Sequence, residues 1–182
     1  MTGVEEGKFC ILLYGPPGVG KSTVGEVMGE EFGLTFFDGD DEMNASEREK
    51  VSSGDWGDND RRALLLRRAK RINQLYRESK VGVVTASAMT KKWMREFLSD
   101  HTDPFLQFVL VSTLIKQAEM DQLIQDRHKQ GHPISLEAFH KFTGQFEPPE
   151  EPIVQLDNPH DPAKKEELIK EIARVLKQLS HG

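Results

Sequence analysis

Phe9-Cys10-Ile11-Leu12-Leu13-Tyr14-Gly15-Pro16-Pro17-Gly18-Val19-Gly20-Lys21-Ser22 is an apolar run broken by a glycine–proline turn and closed by Lys-Ser. A short apolar run that stops at such a turn reads as a buried central strand. The residues from about Lys21 to Phe32, stopped by Gly33, read as a helix. Between them, Gly15 to Ser22 fits G-x-x-x-x-G-K-[ST] at every fixed position, with a strand before it and a helix after it. Glycines there let the backbone wrap around an anion with N–H groups turned inward. The helix start adds its partial positive charge. Gly15, Pro16, Pro17, Gly18, Val19, Gly20, Lys21, Ser22 and Thr23 are therefore the expected phosphate cradle. Lys21 suits the β- and γ-phosphates of ATP, and the Ser22 hydroxyl suits Mg²⁺.

Working outward, strands are expected at Leu34–Phe37, Val81–Thr85, Phe105–Val111 and Ile153–Leu156. Helices are expected at Ser46–Ser53, Asn59–Ser79, Lys91–Ser99, Leu114–Lys129 and Ala163–Leu179. The last of these places Leu168, Ile172, Val175, Leu176 and Leu179 on one stripe. Strands alternating with helices predict an α/β fold with a five-stranded parallel sheet covered by helices on both faces. A length of 182 residues suits one such domain, 1–182. Two segments rich in turn residues, 42–58 and 127–152, are expected to be a mobile substrate-side segment and a lid.

Composition excludes several classes. No apolar run approaches the roughly 20 residues needed to span a bilayer. The start, with Glu5 and Glu6, has no signal-peptide pattern, so a cytoplasmic location is expected. A net charge of −6 argues against a dedicated nucleic-acid binder. The single cysteine, Cys10, sits in the first strand and reads as a core residue.

The cradle fixes nucleotide binding but not the reaction. The third and fourth strands run into Thr85-Ala86-Ser87 and Ser112-Thr113, without the acid that motor ATPases carry there. The acids leave the second strand instead, as Asp38-Gly39-Asp40. Ligands of such sheets bind beyond the strands' carboxyl ends. Residues two apart in extended chain point the same way, so both acids are expected to face the cradle. Asp38 is assigned to the Mg²⁺ shell, and Asp40 to the acceptor hydroxyl as proton acceptor. Arg61 opens a long helix and suits an acidic acceptor. Lys91 stands at the open end of the site. Arg67, Arg68, Lys70, Arg71 and Arg77 read as a solvated face. Asn158-Pro159 reads as an adenine-side loop.

These residues resemble the gluconate kinase family, itself similar to shikimate kinases and nucleoside monophosphate kinases. Beyond the P-loop, the resemblance rests on Phe37-Asp38-Gly39-Asp40, Ser53-Gly54 with Asp58-Asn59-Asp60-Arg61, and Val84-Thr85-Ala86-Ser87-Ala88-Met89. Arg127–His132 and Gln145-Phe146-Glu147 with Glu151-Pro152 complete it. It implies a P-loop kinase fold with a lid, and ATP- and Mg²⁺-dependent phosphorylation of the 6-hydroxyl of gluconate, a sugar acid. It also implies a homodimer. On the lid, Arg127 or Lys129 would contact the transferring phosphate, with His132 nearby; Arg127 is the assigned catalytic and nucleotide-binding residue. Thr90 stands where that family has lysine, and Pro133 where it has an aromatic. A kinase of the same fold acting on shikimate, a nucleoside monophosphate or an RNA 5′-hydroxyl is an alternative, as is a nucleotide-binding module without catalysis.

Overall fold

The computed structural model describes residues 7–131, 134–150 and 153–181. His132, Pro133, Glu151 and Pro152, which belong to the expected lid, lie outside the described residues. Five parallel strands form one sheet: β1 (Phe9–Tyr14), β2 (Thr35–Asp38), β3 (Gly82–Ala86), β4 (Gln107–Thr113) and β5 (Val154–Asn158), in the order β2-β3-β1-β4-β5. Strand β1 is central, paired to β3 on one side and β4 on the other. Because it is covered on both faces, its sequence is a continuous apolar run without alternation.

Helices α1 (Lys21–Phe32) and α7 (Lys165–Ser180) cover one face, where Ile11, Leu13, Val24, Met28, Val84, Val109, Ile172 and Val175 form a core. Helices α3 (Asp58–Glu78) and α4 (Lys92–Asp100) cover the other, over Cys10, Leu12, Leu65, Ile72 and Leu98. Cys10 is 2% exposed, a core residue as its sequence context predicts. Truncating Leu12 or Leu13, both fully buried, to alanine costs roughly 2–5 kcal/mol. No helix among the described residues is long and apolar enough to cross a membrane.

The two segments expected to be mobile contain helices. Segment 42–58 holds α2 (Ala45–Ser53), which starts at a capping box between Asn44 and Glu47. In the expected lid, α5 (Gln117–Lys129) is followed by α6 (Leu136–Gly144), which the sequence reading missed. Phe139 of α6 packs with Met120 and Ile124 of α5 in a small separate cluster. Strand β4 begins later than expected, leaving Phe105 outside it and 76% exposed. Strand β5 extends to Asn158, past the apolar run that suggested it.

Candidate active site

The phosphate cradle sits where β1 turns into α1, at the carboxyl end of the central strand. Gly20 is the N-cap of α1, with φ of 87°, and no side chain caps the helix. The first-turn N–H groups of α1, with their partial positive charge, are thus left for an anion. The loop is braced from outside by the end of β5. Asn158 Nδ2 donates to the carbonyl of Val19 at 2.9 Å, and His160 Nε2 lies 2.9 Å from the carbonyl of Gly18. The backbone N–H of His160 donates to Asn158 Oδ1 at 3.0 Å, tying the two braces together. A Cβ at Gly20 would stand 2.2 Å from Asn158 Nδ2, so only glycine admits the brace. Asn158, expected beside adenine, is 3% exposed and serves the loop instead.

Lys21 Nζ donates to the carbonyls of Gly15 and Pro16, at 3.1 and 2.7 Å. Enclosure of the ammonium pushes its pKa down to about 8, and the charges of Asp40 and Asp38 pull the other way. Both acids therefore act on Lys21, as their position at the end of β2 predicts. The reason is not strand alternation. After Asp38 the chain turns into a 3-10 helix over Gly39–Glu42. Asp38 Oδ1 accepts from the backbone N–H of Asp40 at 2.9 Å, and Oδ2 accepts from the Ser22 hydroxyl at 2.5 Å. The hydroxyl and carboxylate assigned to Mg²⁺ are thus already in contact. Hard oxygen donors of this kind, few in number, suit a magnesium ion that completes its shell with phosphate and water.

The region beyond β2 differs from expectation in one main respect. Arg68 is not on a solvated face: it is 3% exposed, within the apolar stripe of α3. It donates through Nε to the carbonyl of Gly39 (2.7 Å), through Nη1 to Ser87 Oγ (2.8 Å) and through Nη2 to Asp40 Oδ1 (2.9 Å). Arg67 does lie at the surface of α3, paired with Glu47.

The profile of the AAA domain family matches residues 10–149, from β1 through the segment that follows α6. The chain belongs to this family. A probable gluconokinase of Schizosaccharomyces pombe (strain 972 / ATCC 24843) is 31% identical over 119 residues, covering 60% of this chain. The match spans 62% of that curated relative, less than two thirds of its length. Among solved structures, a gluconokinase from Sinorhizobium meliloti 1021 superposes with a TM-score of 0.74 at 24% identity, covering 97% of this chain and 96% of that one. A shikimate kinase from Acinetobacter baumannii in complex with shikimate superposes with a TM-score of 0.59 at 18% identity, covering 95% and 96%. The AAA domain described here thus has the three-layer α/β P-loop kinase fold.

In this AAA domain the remaining candidates are placed as follows. Arg61 is engaged by Asp58 at 2.9 Å, one turn back on α3. Lys91 is the N-cap of α4 and pairs with Glu147 at 3.2 Å. Arg127 lies in the last turn of α5, in helical step with Met120 and Ile124. Those two residues approach the cradle: a Cβ at Gly18 would stand 3.0 Å from Met120 Sδ and 3.2 Å from Ile124 Cδ1. A cavity of about 390 Å³ opens between Pro16–Pro17, Ser112–Thr113 and the Met120–Phe139 contact. Lys129 pairs with Asp126.

Sequence reasoning missed a second buried arginine. Arg95 of α4, 7% exposed, donates to the carbonyls of Met89 (2.9 Å) and Glu147 (3.2 Å) and lies over the Tyr14 ring. It joins the Ser-Ala-Met and Gln-Phe-Glu blocks, which the chain separates by over fifty residues. The signal was present in α4, whose buried positions Met94, Arg95 and Leu98 follow helical spacing.

Proposed function

We propose that this chain is an ATP-dependent kinase that phosphorylates a hydroxyl of a sugar acid, gluconate first among them. The observation that carries the reading is the grouping of Lys21, Ser22, Asp38 and Asp40, with both carboxylates acting on the Lys21 ammonium and Asp38 bonded to the Ser22 hydroxyl. ATP, when bound, would supply the phosphoryl group, and Mg²⁺ a counter-charge for it. Lys21 would leave the carbonyls of Gly15 and Pro16 to hold phosphate oxygens, and Ser22 and Asp38 would hold the metal. Asp40, with its side chain 61% exposed, is free to meet the acceptor and take the hydroxyl proton. Arg127 would add positive charge from the α5 side. Arg61 and Lys91 would bind the acid group by exchanging their present partners, Asp58 and Glu147, for it. The gluconokinases among the relatives support the choice of gluconate.

The test is a panel of gluconate, shikimate, AMP and 5′-hydroxyl RNA with coupled detection of ADP. Gluconate should give the highest rate; turnover of only a nucleotide or an RNA end would sink the sugar-acid assignment. Asp40→Asn should lower kcat by about 10²–10⁴-fold while ATP affinity stays nearly constant. Full rate in that variant would remove Asp40 from the chemistry.

A further inference from the structure

We propose that Arg68 is the positioning residue that aims the Asp40 carboxylate at the acceptor. The proposal rests on the reading of Asp40 as proton acceptor. An exposed aspartate on a short 3-10 turn has ordinary rotamer freedom, which would waste a general base whose reach is one hydrogen bond. Here the carboxylate stands at the surface on a buried support. Asp40 is 61% exposed in its side chain, whereas its partner Arg68 is 3% exposed.

The support is tied to the sheet. Arg68 Nε holds the carbonyl of Gly39, just past β2, and Nη1 holds Ser87 Oγ, just past β3. Ser87 is itself anchored to β1, its backbone N–H donating to the carbonyl of Leu13 at 3.0 Å. The third arm, Nη2, takes Asp40 Oδ1. No hydrogen bond among the described residues engages Asp40 Oδ2, so one carboxylate oxygen is fixed and the other is left to accept a proton. Gly39 makes room for this arrangement: a Cβ there would stand 3.0 Å from Arg68 Nε and 2.9 Å from the carbonyl of Ala86. A planar fork is what such a three-way tie needs, and lysine cannot reproduce it. Burial of the cation pulls the Arg68 pKa down, and the charges of Asp40 and Asp38 oppose that shift.

A double-mutant cycle tests this, using whichever panel acceptor the parent protein turns over fastest. Arg68→Gln should lower kcat by about 10–100-fold, the scale of a small misplacement of a reacting group, with the ATP dissociation constant within about twofold. Adding Arg68→Gln to Asp40→Asn should cost nothing further, and Arg68→Lys should recover only part of the rate. Losses that multiply in the double variant would show a merely structural arginine and overturn the proposal. Should Arg68→Gln fail to fold, judged by melting and ATP binding, Arg68→Lys decides: undiminished kcat with the charge kept and the fork lost overturns it. If Asp40→Asn keeps its rate, the underlying reading falls. If Asp40→Asn is slow while Arg68→Gln is normal, only the role of Arg68 falls.

Discussion

Proton uptake on nucleotide binding tests the electrostatics of the cradle. The Lys21 amine has a pKa of about 8, held down by enclosure. Contact with a polyphosphate favours its charged form and returns the pKa toward or above the ordinary value of about 10.4. A group whose pKa rises on binding takes up protons in the window between the two values. Affinity is thus fully present below about pH 8 and is lost as pH rises through it. With these values, binding takes up about half a proton at pH 8, and affinity falls about tenfold between pH 7 and 9, or about 1.4 kcal/mol. The assay is calorimetric titration with a non-hydrolysable ATP analogue and Mg²⁺, in paired buffers of different ionisation enthalpy. Lys21→Arg, charged throughout, should abolish the uptake. Uptake near zero at pH 8 in the parent protein, or unchanged in Lys21→Arg, would refute the reasoning.

Three further outcomes are expected. Gly20→Ala meets Asn158 Nδ2 at 2.2 Å and takes a strained φ of 87°, so it should cost about 1–3 kcal/mol in a melting experiment and weaken ATP binding more than tenfold. Cys10, its pKa pushed up to about 12 by burial, should resist thiol reagents at pH 8 in native buffer and react as denaturant unfolds the chain; labelling within minutes without denaturant would contradict its placement. Asn44→Ala removes the cap that accepts from the Glu47 N–H and should cost about 1 kcal/mol, a fall of about 2–4 °C in melting temperature.

Local patterns made most of the frame legible. The bounds of α1, Lys21–Phe32, match expectation because Gly20 and Gly33, both at positive φ, mark its ends chemically. The α7 stripe is buried at Leu168, Ile172, Val175 and Leu176, as helical spacing requires. Helix α6 escaped because its place depends on Phe139 meeting Met120 and Ile124 across the α5–α6 hairpin, a contact no local pattern announces. Strand β5 ran past its apolar part because Asp157 and Asn158 are held by side-chain bonds, to Ser112 and Val19. In the site, the cradle was readable from fixed spacing and the acids from their place at the end of the second strand, although the 3-10 turn after Asp38, and not strand alternation, sets their positions. Arg68 was not, because charge outweighed position in the reading. Its place in step with Leu64, Leu65, Ile72 and Leu75 was the available clue.

The bond from Asn158 to Val19 joins residues 139 apart in the chain. On the ribosome the Gly15–Ser22 segment emerges long before β5, so the bond that braces its loop can form only after that strand has been made and docked. A chain that ended before β5 would therefore keep the motif and lack the brace on its loop.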